Sequence, residues 1–143
     1  MSYKKILIAV DSSEYAIGAA KRGFDLAHQL KAQAALLFVV DTSKALGNVD
    51  AGILPQQALI VLIKEAEETL DQLAGMYNGK DLVKFMPEGH PKEDIQKTAE
   101  TWEADLIVIG THGRTGLMHL LLGSNAEFLV RHSKIPVLVV PSK

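Results

Sequence analysis

Between Gly110 and Glu127 the chain reads GTHGRTGLMHLLLGSNAE, and four of these residues are glycine. An apolar run, DLIVIG, leads into the stretch, and a segment with helical character, SNAEFLVRHS, leads out of it. Glycine lets backbone approach a ligand closely and adopt positive φ. A helix starting there offers unpaired N–H groups and the positive end of its dipole, which together hold anions. Gly123, Ser124, Asn125 and Ala126 are therefore candidate phosphate contacts. The Ser124 hydroxyl could bond a phosphate oxygen or cap the helix. The loop between carries His112, Arg114 and His119, of which only Arg114 is charged at neutral pH without further help, so backbone donors are expected to do most of the work. The plainer alternative is that Gly110 ends a strand and Gly123-Ser124 caps a helix, as turn residues commonly do.

Other chemistries find little support. With no cysteine, disulfides, thiolate catalysis and Cys-ligated zinc are excluded. His28, His90, His112, His119 and His132 show no H-x-x-x-H or H-E-x-x-H spacing, so no metal site is expected. G-x-S-x-G is absent. GMYNGKD (75–81) imitates a P-loop, but only three residues separate its glycines and Asp81 stands where Ser or Thr would bind magnesium. No G-x-G-x-x-G follows the first strand, which leaves a dinucleotide site unsupported. The acidic residues Glu65, Glu67 and Glu68 read as a solvated helix face. Asp11 and Asp41, each at the end of an apolar run, could take part in phosphate chemistry through Mg²⁺, but nothing in the sequence fixes them there.

The elements that must position these residues follow from hydrophobic periodicity. Residues 3–11 and 32–41 are apolar runs that each end in aspartate. Residues 13–32 are helical, with Ala16, Ala20, Phe24, Ala27 and Leu30 inward. Residues 42–54 read as a loop. Pro55 suits the first turn of a helix that runs to about Tyr77, with Leu59, Leu62, Ala66, Leu70, Leu73 and Tyr77 on one face. Residues 81–89 form a less regular strand. Pro91 opens a helix with Ile95, Ala99 and Trp102 inward. Residues 105–110 are a strand, 124–133 a helix and 134–141 a final strand. Strands and helices thus alternate from start to end. The reading is a single α/β domain over 1–143, with a five-stranded parallel sheet and helices on both faces. Ligands bind such sheets beyond the strand carboxyl ends, where strand order reverses. Asp11, Val39–Asp41 and Gly110–Gly113 fall at those ends.

The bulk properties agree. One core suits 143 residues, and a net charge of −2 gives no pull towards nucleic acid or anionic membrane. The apolar run Ile6–Val10 is too short for a signal peptide or a membrane span, so a cytoplasmic protein is expected.

The glycine pattern has a match. Gly110-Thr111-His112-Gly113, nine residues, then Gly123-Ser124-Asn125 resembles the G-x-x-G-x9-G-S/T signature of ATP-binding universal stress proteins. The resemblance extends to ILIAVDSSE, LLFVVD, EGHPKEDI and IPVLVVP, and so spans the whole chain. It implies a Rossmann-like fold of the adenine nucleotide alpha hydrolase type, with ATP bound, accompanied by Mg²⁺ or Mn²⁺ where a metal is used. Asp11 would then contact the adenosine moiety, and Val39 would meet adenine through its backbone. Gly110, His112 and Gly113 would line the ribose and phosphate path. Gly123, Ser124, Asn125 and Ala126 would hold the phosphates. Ala9, Val10 and Ile109 are neighbours, and Gly89 and Pro91 would border the ribose. Each has a plainer role open to it: Asp11, three residues before Glu14, could form a capping box, and Val39 could be core. Three functions stay in play: an ATP-binding stress regulator with an unidentified protein partner, a slow ATPase, and a nucleotide-free interaction module. The resemblance also points to a homodimer through Pro136, Val137, Leu138, Val139 and Val140, an apolar strand lacking the lysines that protect sheet edges. The apolar loop Leu117–Leu122 is expected to order when ligand binds.

Overall fold

In the computed structural model, residues 2–79, 81–111 and 122–141 are described. His112, Gly113, Arg114, His119 and most of the loop Leu117–Leu122 lie outside them. Five parallel strands form the main sheet: β1 (Lys5–Ala9), β2 (Gln33–Leu37), β4 (Val83–Phe85), β6 (Leu106–Gly110) and β7 (Val137–Val140), in the order β4-β2-β1-β6-β7. Two short strands, β3 (Val40–Asp41) and β5 (Glu88–Gly89), pair parallel as a separate ribbon.

Strand residues alternate between two apolar clusters. Ile6, Ile8, Ala34, Leu36, Leu106 and Val108 pack beneath α1 (Tyr15–Leu30) and α2 (Pro55–Ala74). Leu7, Ala35, Leu37, Ile107 and Ile109 pack beneath α3 (Pro91–Trp102) and α4 (Ser124–His132). Both faces are thus covered, as the unbroken apolar runs require. A Cβ on Gly23 would lie 2.5 Å from Ile8 Cδ1, so its missing side chain lets α1 settle onto β1. From β1 the chain winds outwards through β2 to β4, then crosses by α3 to β6 on the other side of β1. Strand order reverses between β1 and β6, and a crevice opens at their carboxyl ends. At the opposite end, Asp105 Oδ2 accepts the backbone N–H groups of Lys4 and Lys5 at 2.8 and 2.9 Å, tying the starts of β1 and β6 together.

The structure corrects several expectations. The run 32–41 breaks after Leu37 and resumes as β3, and 81–89 likewise divides into β4 and β5. Leu30 is exposed rather than core. The 42–54 loop contains two single-turn 3-10 helices, Thr42–Lys44 and Val49–Ala51. The last strand starts after Pro136, whose carbonyl accepts the Ile107 N–H at 2.9 Å. As expected, it forms a sheet edge.

Candidate functional site

The break in the second strand is where the site begins. Phe38 N–H donates to Phe85 O at 3.0 Å, and Val40 N–H to Pro87 O at 2.8 Å, both towards the outer neighbour. Alternation turns the Val39 N–H and carbonyl the other way, towards β1. There the ladder has stopped, its last bond running from Val10 N–H to Leu37 O at 2.9 Å. Val39 therefore has a backbone donor and acceptor without partners among the described residues, while its side chain is buried in the core. The Val39 side chain is core, as the plainer reading had it, and its backbone is open on the side of β1.

Across the crevice, β6 ends at Gly110, and Gly123 N–H donates to Thr111 O at 2.6 Å, which anchors the start of α4. Gly123 is the N-cap and offers no side chain to the helix. The first helical bond is Glu127 N–H to Gly123 O at 2.9 Å, so the N–H groups of Ser124, Asn125 and Ala126 have no partners among the described residues. Gly123 has φ −60° and ψ 151°, an extended conformation open to any residue. The expectation of positive φ is thus overturned here. Ser124 is the first helical residue and does not act as the cap.

Asp11 does not form the capping box. The N-cap of α1 is Glu14, and Asp11 Oδ1 instead accepts the Ser13 N–H at 2.9 Å and the Ser13 hydroxyl. Asp41 repeats the arrangement, its Oδ1 accepting the Ser43 N–H at 3.1 Å and the Ser43 hydroxyl at 2.6 Å. Sequence order explains both, since aspartate two residues before serine closes a local turn.

These pieces line one cavity of about 650 Å³, within the roughly 300–1,000 Å³ of small-molecule clefts. Ala9, Val10, Asp11, Val39, Ile109, Gly110, Gly123, Ser124, Asn125 and Ala126 all border it. Of the residues expected to contact the ligand, His112 and Gly113 lie outside the described residues, as do Arg114 and His119 of the same loop. Pro91 borders the cavity. The room above Gly89, by contrast, is taken by Asp94, whose Oδ2 accepts the His90 N–H at 2.7 Å. Sequence reasoning missed Tyr15, Lys44, His90 and Lys92 as lining residues, and Glu65 lines the cavity instead of joining Glu67 and Glu68 on the solvated face. The signal available for Lys44 and His90 was their position just after strand ends. Nothing in the local pattern around Glu65 announces its place. Among the described residues, no group of three or more His, Cys, Asp or Glu could hold a metal ion, and no helix is long and apolar enough to cross a membrane.

Comparison with known proteins gives consistent results. The model of the universal stress protein family matches residues 2–141. A universal stress protein of Methanocaldococcus jannaschii is 38% identical over 141 residues, covering 96% of this chain and 82% of the relative. The solved structure of universal stress protein UspA from Lactobacillus plantarum superposes with a TM-score of 0.83 at 27% identity, covering 98% of this chain and 99% of that one. The Archaeoglobus fulgidus universal stress protein, solved in complex with dAMP, shares the fold with a TM-score of 0.68 at 21% identity, covering 98% and 99% of the two chains.

Proposed function

The chain belongs to the universal stress protein family, and from that we propose that it is a cytoplasmic, ATP-binding regulator of the stress response that works through a protein partner. One observation carries the reading: unpaired backbone groups stand on both walls of a single cavity. Val39 offers a donor and an acceptor at one side, and the N–H groups of Ser124, Asn125 and Ala126 stand at the other. The first suits the edge of a flat base. The second suits an anion, because three unpaired donors and the helix dipole favour negative charge together. A molecule with a base at one end and phosphates at the other fits that division, and dAMP, bound by the A. fulgidus protein, belongs to the same chemical class. We also assign the exposed edge of β7 to a twofold contact between two copies.

The test is calorimetric titration with Mg-ATP, with assay of any nucleotide that co-purifies. Wild-type protein should bind. Gly123→Val should abolish binding, because its side chain would stand at the head of the helix where the phosphates arrive. The variant should stay folded, since φ −60° and ψ 151° suit valine. A folded Gly123→Val protein with wild-type affinity would remove the phosphates from this helix. Phosphate release on adding Mg-ATP would turn the assignment towards a slow ATPase.

A further inference from the structure

The two walls differ in a second respect, which bears on how a nucleoside is held. Asp11 and Asp41 both border the cavity, and each is half-buried. Each is fastened in the same way, by the serine two residues later, and each through Oδ1 only. Backbone N–H and hydroxyl converge on that one oxygen. Oδ2 of either aspartate has no partner among the described residues, and no ion pair there involves them. A carboxylate held by one oxygen, with the other open in a cleft, is a fixed acceptor for a hydrogen-bond donor.

We propose that Asp41 joins Asp11, already read as an adenosine contact, as an acceptor for the ribose hydroxyls of the nucleoside, and that Ser13 and Ser43 are positioning residues that set the two carboxylates. This rests on the nucleotide reading above and deepens it by assigning Asp41, Ser13 and Ser43. Charge sorts the ligand along the cavity. Two carboxylates repel phosphate, whereas the unpaired N–H groups of Ser124–Ala126 attract it. Lys44 and Lys92 also line the cavity, so the repulsion is local to the two carboxylates, and the neutral, donor-bearing half of the ligand is the part that suits them. The clamp matters because a carboxylate that is free to rotate loses conformational entropy when it binds, and a clamped one has lost it already.

The experiment measures affinity for ATP and for adenosine, by displacement of a fluorescent ATP analogue, alongside thermal melts. Ser13→Ala and Ser43→Ala should each weaken both ligands by a similar factor, roughly 3- to 10-fold, with little change in melting temperature. Ser13→Thr and Ser43→Thr keep the hydroxyl and should restore wild-type affinity. In an Asp11→Ala background, Ser13→Ala should cost nothing further, since it acts only through Asp11; Ser43→Ala should behave likewise in Asp41→Ala. A loss confined to ATP and absent with adenosine would overturn the proposal, because the aspartates would then serve the phosphates or their metal. Additive losses in the double variants would overturn the positioning role. If the aspartate variants bind like wild type while Gly123→Val does not, this inference fails and the nucleotide reading stands. If the wild type binds neither ligand, that reading itself fails.

Discussion

At the scale of single residues, the most informative side chain is one that is missing. The family resemblance sets Gly89 beside a ribose, and the space that a side chain on it would fill is held by Asp94. A Cβ there would lie 2.0 Å from Asp94 Oδ2, which accepts the His90 N–H. The glycine thus lets a carboxylate of the first turn of α3 reach back and close the β5–α3 turn. Gly89→Ala should displace Asp94 and cost about 1 kcal/mol, because the bond is exposed to solvent. That corresponds to roughly 3 °C in melting temperature. Asp94→Ala should cost about the same, and the double variant little more than either, since both remove one interaction. Additive losses in differential scanning calorimetry would contradict the contact.

At the scale of elements, β7 makes a clear prediction. Its inner neighbour is β6, and its outer edge is unpaired among the described residues. Val137 and Val139 pack towards α3 and α4, whereas Leu138 faces the other way and is 40% exposed. Lysine at position 139 would strike the protein's own core. Leu138→Lys is the cleaner probe: it places a charge on the edge without emptying the core, and should halve the mass seen by light scattering. A wild-type chain of monomer mass at micromolar concentration would remove the assigned contact. The same scale shows what the sequence could reveal. Unbroken apolar runs disclosed the parallel sheet, because strands buried on both faces have no polar side to show. The spacing of Gly110 and Gly123 disclosed where β6 ends and α4 starts beside the cavity, because a helix start after glycine is a local event. The break at Val39 was not legible. It depends on where β1 ends and on which neighbour each carbonyl finds, and both are set by partners far away in the chain. Glu65 was missed for a similar reason, since the overlap of α2 with the cavity is a matter of packing and not of periodicity.

At the scale of the whole molecule, the two ends of the sheet do different work. Asp105 joins β1 to β6 at the amino ends, where one carboxylate oxygen holds two backbone N–H groups. Asp105→Ala should remove about 1.5–3 kcal/mol of stability, as expected for hydrogen bonds to a charged group, and lower the melting temperature by roughly 5–10 °C. ATP affinity measured well below that melt should stay at the wild-type value; a tenfold loss would show that the ends are coupled. The reversal of strand order between β1 and β6 has a consequence for how such a chain tolerates change. The fully buried residues Ile6, Leu7, Ile8, Ile107 and Val108 all lie deeper in the sheet than the cavity. A saturation library scored for cellular abundance and, separately, for nucleotide capture should therefore split into two sets with little overlap. Lineages could then rewrite the rim, or abandon the ligand altogether, and still inherit a protein that folds.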